Sequence, residues 1–267
     1  MEQRQILLTN DDGIRSPGLW TAARALSELG FVHVVAPRDQ FSGAGRSLPI
    51  TSDGLIEERA LLVNGKRWTI FSVGGTPAQT VLHAVLEIMP DRPDLVVSGI
   101  NYGENLGTGI TVSGTVGAAL EAASLGIPAL AMSLETEKEY HLSYSPEIDF
   151  TAAGYFTAYF ARLLIERRLP PDVNVLKVDV PSSATEETPW TITRLSRRPY
   201  YEPLRPERDN WGQPGRVGYR SAGDPSLDDA DTDVYAVRVL RHISVTPLSL
   251  DLTSRVDFNE LTRTLRG

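Results

Sequence analysis

Ile6-Leu7-Leu8-Thr9-Asn10-Asp11-Asp12-Gly13 decides the fold. The run from Ile6 is short and apolar without alternation, the pattern of a strand buried on both faces, and Asn10 to Gly13 is a turn signal where that strand leaves its sheet. A helix is predicted next. Ser16 stands at its cap and Pro17 at its first position; Leu19, Ala22, Ala23, Leu26 and Leu29 recur at helical spacing, and Gly30 ends it. Phe31 to Ala36 then reads as a second strand closed by Pro37.

Outward from this unit the alternation repeats. Trp68 to Val73 reads as a strand, and Thr76-Pro77 opens a helix carrying Val81, Leu82, Val85 and Ile88. Asp94 to Ser98 reads as a strand, Ser113 caps an alanine-rich helix ended by Gly126, and Pro128 to Leu134 returns as a strand. A long amphipathic helix over Phe150 to Arg168 and a strand over Val173 to Val180 follow. Strand and helix in alternation imply right-handed crossovers, so the expected class is α/β, a Rossmann-like, doubly wound and mostly parallel sheet. After Pro181 the rhythm breaks. Short β-like runs, Thr191 to Leu195 and Val234 to Leu240, lie among Pro, Gly, Asp and Arg, and a helix from about Asp257 to Leu265 follows. These runs are too short to enclose a core, so they are expected to pack on the main sheet or on another subunit. The chain is therefore read as one domain, 1–267, with a core of about 1–181 and a C-terminal arm of about 182–267.

Composition narrows the chemistry. With 26 basic and 34 acidic residues in 267, the net charge is -8, which disfavours nucleic-acid polymers and anionic membranes as partners. The absence of cysteine excludes disulfides, thiolate zinc sites and cysteine nucleophiles. The histidines at 33, 83, 141 and 242 lack metal-site spacing, so any metal is expected to be a hard cation held by oxygen. The start of the chain lacks the pattern of a signal peptide, and the longest apolar region, 116–134, is broken by Glu121 and Pro128; a soluble cytoplasmic protein is expected.

In an open parallel sheet, ligands gather beyond the carboxyl ends of the strands. There the chain places Asn10 to Gly13, then Asp39 to Gly43, then Gly99 to Gly103 running on through Asn105 to Ser113-Gly114-Thr115. Two adjacent carboxylates, Asp11 and Asp12, repel one another, and a divalent cation would compensate both. The bland alternative is a plain Asp-Gly turn. Ser42 and Asn101 are candidate neutral ligands, which with two carboxylates suits magnesium or manganese. Ser113-Gly114-Thr115 at a helix start offers free amides, two hydroxyls and a positive dipole end for a phosphate; a simple serine cap is the alternative. The glycine fingerprint of a dinucleotide site, the P-loop and the nucleophile elbow are all absent.

Taken in order, Ile6 to Gly13 with Ser16-Pro17-Gly18, Val35-Ala36-Pro37 with Ser42-Gly43, Gly75-Thr76-Pro77, Val97 to Asn101 with Gly103 and Asn105-Leu106-Gly107, and Ser113-Gly114-Thr115-Val116 resemble the SurE survival-protein family. The resemblance returns at Ser244-Val245-Thr246-Pro247-Leu248. It implies a metal-dependent phosphatase of nucleoside 5'- and 3'-monophosphates, with polyphosphate as a further substrate. It also implies one divalent ion per subunit held by Asp11, Asp12, Ser42 and Asn101, and phosphate held by Asn105 and Ser113 to Thr115. On the mechanism read here Asp11 and Asp12 are the catalytic candidates, one of them orienting or deprotonating the attacking water. A homodimer or homotetramer exchanging C-terminal arms is implied as well. The chain departs from the family pattern at Gln79-Thr80, at Arg46 and at Arg241-His242. Trp211 and Tyr219 are candidates for stacking a nucleobase, with a subunit interface as their alternative. The rival functions are a non-catalytic nucleotide or phosphate sensor and a nucleotide-dependent oxidoreductase.

Overall fold

The computed structural model describes residues 3–63 and 66–267. Asn64 and Gly65 fall outside them. Strand β1 (Gln5–Thr9) leads through helix α1 (Pro17–Leu26) to β2 (Phe31–Pro37), followed by β3 (Ile56–Val63) and β4 (Lys66–Val73). Helix α2 (Pro77–His83) precedes β5 (Leu95–Tyr102), α3 (Gly114–Ser124) precedes β6 (Ala129–Leu134), and α4 (Thr151–Glu166) precedes β7 (Val175–Val180). The arm carries β8 (Trp190–Ile192), β9 (Tyr201–Leu204), β10 (Gly218–Ser221), α5 (Asp233–Tyr235), β11 (Ile243–Leu248) and α6 (Phe258–Arg266).

Among the described residues these strands form a nine-stranded sheet ordered β3-β4-β2-β1-β5-β6-β7-β11-β8, and β9 pairs with β10 in a separate hairpin. β4 to β7 through β2 and β1 is parallel throughout; β3 runs antiparallel to β4, and β11 runs antiparallel to β7 with β8 parallel to it at the far edge. Alternation along β1 divides the core. Ile6 and Leu8 pack with α1 and α4 on one face, Leu7 with α2 and α3 on the other. The expected Rossmann-like α/β sheet is therefore what the chain forms. Because the chain winds outward to β2 from one side of β1 and to β6 from β5 on the other, the order reverses between β1 and β5. The crevice beyond the carboxyl ends of those two strands is where such sheets bind ligands.

Local signals and structure differ in instructive places. Ser16 stands at the α1 cap but its hydroxyl makes no cap bond, whereas Thr76 and Gln79 form a reciprocal capping box on α2. β5 runs four residues past Ser98, with a register shift between Ser98 and Asn101 that redirects the chain at the sheet edge. The run Val234 to Leu240, read as β-like, is helical: α5 continues into a wide turn over Ala236–Leu240. Thr232 caps it through Tyr235 N, and Val234 and Val237, three apart, share the buried face with Leu106 and Tyr200. Valine-rich composition suggested a strand; burial of this face outweighed propensity. The other arm strand is shorter than the run from Thr191 and starts one residue earlier. β11 and β8 extend the main sheet, so the arm is packed on the core within one chain. No helix among the described residues is long and apolar enough to cross a membrane.

An ion cluster secures the arm to the end of β6. Arg241 meets Glu135 with both terminal nitrogens, one of them at 2.9 Å, Arg238 reaches it at 3.1 Å, and Ser182 donates through its amide (2.8 Å) and hydroxyl (2.9 Å). Burial by itself would raise the Glu135 carboxyl, but Arg241 and Ser182 outweigh it and hold the group below its ordinary value of 4.5. This cluster therefore contributes stability above about pH 4.5 that is lost as pH falls through the lower folded value. Glu135→Ala is expected to cost about 2 kcal/mol at pH 7, less than a fully buried pair because both arginines remain about a third exposed. In urea melts the gap between wild type and variant should shrink when the pH is lowered to about 3.5; an equal gap at both pH values would refute the assignment.

Candidate active site

The turn after β1 turns both aspartates inward. Asn10 closes it by donating to Gly13 O and accepting from Gly13 N, each at 3.1 Å, which leaves Asp11 and Asp12 almost wholly buried. Asp11 Oδ1 receives the Thr115 hydroxyl at 2.5 Å, and the Gly114 and Thr115 amides at the start of α3 also donate to this carboxylate. Asp12 Oδ1 receives Gln40 Nε2 at 2.8 Å and its Oδ2 receives the Tyr102 amide at 3.1 Å.

Burial pushes the Asp11 carboxyl up against those donors, and it pushes Asp12 well above the usual range, helped by the Asp11 charge beside it. Neither carboxylate has a cationic partner among the described residues. Two adjacent buried carboxylates with hydrogen bonds but no cationic side chain beside them carry charge that a divalent cation would compensate.

Asp11, Ser42 and Asn101 share the wall of one cavity of about 900 Å3 with Asn105 and Ser113. Asp12 is not part of that wall; it lies behind, tied by Gln40. Ser42 is exposed at the cavity, on a loop fixed by Phe41 N to Asp11 O (2.8 Å) and Gly45 N to Val112 O (2.9 Å). Asn101 spends its amide nitrogen on Gly103 O at 2.8 Å, which leaves the amide oxygen as its ligand atom. No cluster of three or more His, Cys, Asp or Glu side chains suited to a metal occurs among the described residues. The donors here are instead two carboxylates, a hydroxyl and an amide oxygen, a hard set that suits magnesium or manganese with water filling the remaining positions.

Of the residues expected to meet phosphate, Asn105 donates one amide hydrogen to Ser133 Oγ at 2.9 Å and keeps the second. Ser113 Oγ accepts from Val116 N at 3.2 Å and keeps its own hydrogen. Gly114 and Thr115, expected to meet phosphate, face Asp11: a Cβ on Gly114 would lie 2.7 Å from Asp11 Cβ, so only glycine permits this approach of helix to carboxylate.

Tyr200, Tyr201 and Tyr219 from the arm wall the rest of the cavity with His141. Tyr200 donates to the buried Glu104 at 2.5 Å, and Tyr219 bonds His141 Nδ1 at 3.0 Å with the two rings stacked. Burial first, and then the Glu104 charge, pushes both Tyr200 and Tyr201 far above an ordinary phenol. Trp211 lies outside this wall, largely in solvent with only Arg208 over its ring. Arg46 pairs at 2.6 Å with the buried Glu121 of α3, and His83 pairs with Glu87 on the far side of α2. Sequence reasoning missed Gln40, which stood unassigned in the second loop, and Glu104, Tyr200, Tyr201 and His141. The adjacent tyrosines in an otherwise polar arm were the one available signal.

Known proteins resemble this chain along nearly its whole length. A family model described as survival protein SurE matches residues 6–202. A protein named 5'-nucleotidase SurE from Thermococcus gammatolerans is 44% identical over 264 residues, covering 98% of this chain and 96% of that protein. Another of the same name from Rubrobacter xylanophilus is 43% identical over 262 residues, 96% of each. Among solved structures, the crystal structure of the SurE protein from Aquifex aeolicus superposes with a TM-score of 0.74 at 32% identity, with 98% of each chain covered. With the sheet, the crevice loops and nearly the full length matched, this chain belongs to the SurE family.

Proposed function

We propose that this protein is a divalent-cation-dependent phosphatase, residing in the cytoplasm, that releases inorganic phosphate from nucleoside 5'-monophosphates, and from 3'-monophosphates and polyphosphate as further substrates. The observation that carries the reading is the cation-deficient pair Asp11 and Asp12, opening through Asp11 into a cavity shared with Asn105 and Ser113. The name shared by the curated relatives, 5'-nucleotidase, supports the substrate class.

Asp11, Asp12, Ser42 and Asn101 would hold magnesium or manganese. Such a cation, when bound, supplies Lewis-acid polarisation of the phosphoryl group and acidifies water. The free amide hydrogen of Asn105 and the hydroxyl hydrogen of Ser113 hold phosphate oxygens, close to the positive end of α3. Gly114 and Thr115 act one step back, fixing Asp11 by two amides and a hydroxyl. Asp11, on the wall, is placed to orient the attacking water; Asp12, with both oxygens engaged, supplies charge. The tyrosine wall offers flat apolar surface for a nucleoside, and the cavity volume suits a ligand of that size.

The test is phosphate release from 5'-AMP by purified, metal-stripped protein with and without manganese. Release only with the cation is expected. Silence on 5'-AMP, 3'-AMP and polyphosphate together, with 5'-AMP still bound, would replace the enzyme reading by that of a nucleotide sensor. The same proposal includes a homodimer or homotetramer joined through the C-terminal arm. It is supported by α6, on which Phe258, Leu261 and Leu265 are exposed along one face. Sedimentation of the full chain and of a chain ending at 250 should differ in oligomer size.

A further inference from the structure

The loop carrying Asn105 rests on three ionisable side chains that the chemistry above does not use. Lys177 and Asp179, two apart on β7, point to the same face, and Asp233 comes from the arm at the start of α5. All three are completely buried. Lys177 Nζ pairs with Asp179, reaches Asp233 at 3.2 Å and donates to Asn105 O at 2.8 Å. Asp179 Oδ1 accepts from Asn105 N at 2.7 Å. Asp233 Oδ2 accepts from Gly107 N, and its Oδ1 from Ser196 N, both at 2.9 Å. Both backbone polar groups of Asn105 and the amide of Gly107 are thus held by one cluster, while the arm is held by its other side.

Burying three charges for stability alone is a poor arrangement, since apolar side chains of the same volume generally do as well or better. What the cluster provides is geometric: charged groups with every hydrogen bond satisfied define one loop position. We propose that Lys177, Asp179 and Asp233 are positioning residues that clamp the 105–107 loop and thereby set the Asn105 amide against the substrate phosphate. This rests on the phosphatase reading. It also gives the arm a part in the site, because one of the three residues, Asp233, belongs to it.

The test is the double variant Lys177→Gln with Asp179→Asn, which removes one charge of each sign and keeps amide groups able to bond. Amide hydrogen exchange of the metal-free protein is followed at residues 105–107, alongside KM, kcat and the inhibition constant of inorganic phosphate. Exchange in this loop should rise roughly tenfold while β1 and β6 stay protected, and KM and the phosphate inhibition constant should rise roughly tenfold. The rise should be equal for 5'-AMP and p-nitrophenyl phosphate, which share only the phosphate. A folded variant with unchanged loop exchange and unchanged phosphate inhibition overturns the clamp and leaves the function standing. Wild type that releases no phosphate from any ester removes the function, and loop exchange then decides the clamp alone. Should the double variant not fold, Asp233→Asn, which retains an acceptor for Gly107, is read in the same way with a roughly threefold effect expected.

Discussion

Asp11→Asn should lower kcat/KM for 5'-AMP at least about a thousandfold, equivalent to roughly 4 kcal/mol of transition-state stabilisation. The substitution is nearly isosteric, so the fold survives. What changes is the charge at the cavity wall, which Asp11 lines as a buried carboxylate. Stability should move the other way. Burial is the main cause that raises Asp12 and the Asp11 charge adds to it, so removing that charge relieves part of the cost and without metal the variant should melt no lower than wild type. Added manganese should stabilise wild type and leave the variant unmoved. Melts with and without manganese, beside the phosphate-release assay, check all three statements. Activity within tenfold of wild type would remove Asp11 from the site.

Gly117→Ala should be nearly as damaging by a purely steric route. A Cβ at Gly117 would sit 2.2 Å from Gly45 O and 2.4 Å from Gly45 C, both backbone atoms of the loop that carries Ser42. No rotamer relieves a backbone clash, so the loop or α3 must retreat. Retreat strains the Gly45 N to Val112 O bond and the Arg46–Glu121 pair, and displaces Ser42 from the cavity. The expected cost is roughly 3 kcal/mol, a fall of about 10 °C in melting temperature, with activity down about a hundredfold. Gly109→Ala is the control, because its Cβ would meet nothing within 4 Å. Its melting temperature should match wild type closely, and equal losses in both variants would refute the steric argument.

Chain-local signals announce what neighbours in sequence can decide. The apolar run of β1, the alanines of α3, the box at Thr76 and Gln79 and the closing helix after Asp257 all follow from spacing and caps within a few residues. The loop placement of Asp11, Asp12 and Ser42 was legible for the same reason, since strand ends mark the crevice of a parallel sheet, whereas Asn101, read as a loop residue, lies within the extended end of β5. Where the pattern was ambiguous, as in Val234 to Leu240, long-range burial chose the outcome: Val234 and Val237 turn inward on Leu106, which lies more than a hundred residues earlier.

The remainder was decided by tertiary structure. Gln40 reaches Asp12 across 28 residues, Tyr200 reaches Glu104 across 96, and Asp233 reaches Gly107 across 126. No local periodicity encodes such pairings, because each depends on which strands the crossovers bring together and on which buried donors still lack acceptors once the sheet has closed. For this chain, sequence alone determined the α/β sheet, the exclusion of cysteine chemistry and the loops that face the crevice. Only the folded chain decided that the helix start cradles Asp11, that the arm walls the cavity, and that Lys177, Asp179 and Asp233 meet beneath the 105–107 loop. The physical reason is that burial and charge pairing act on distances in space, which sequence separation does not specify.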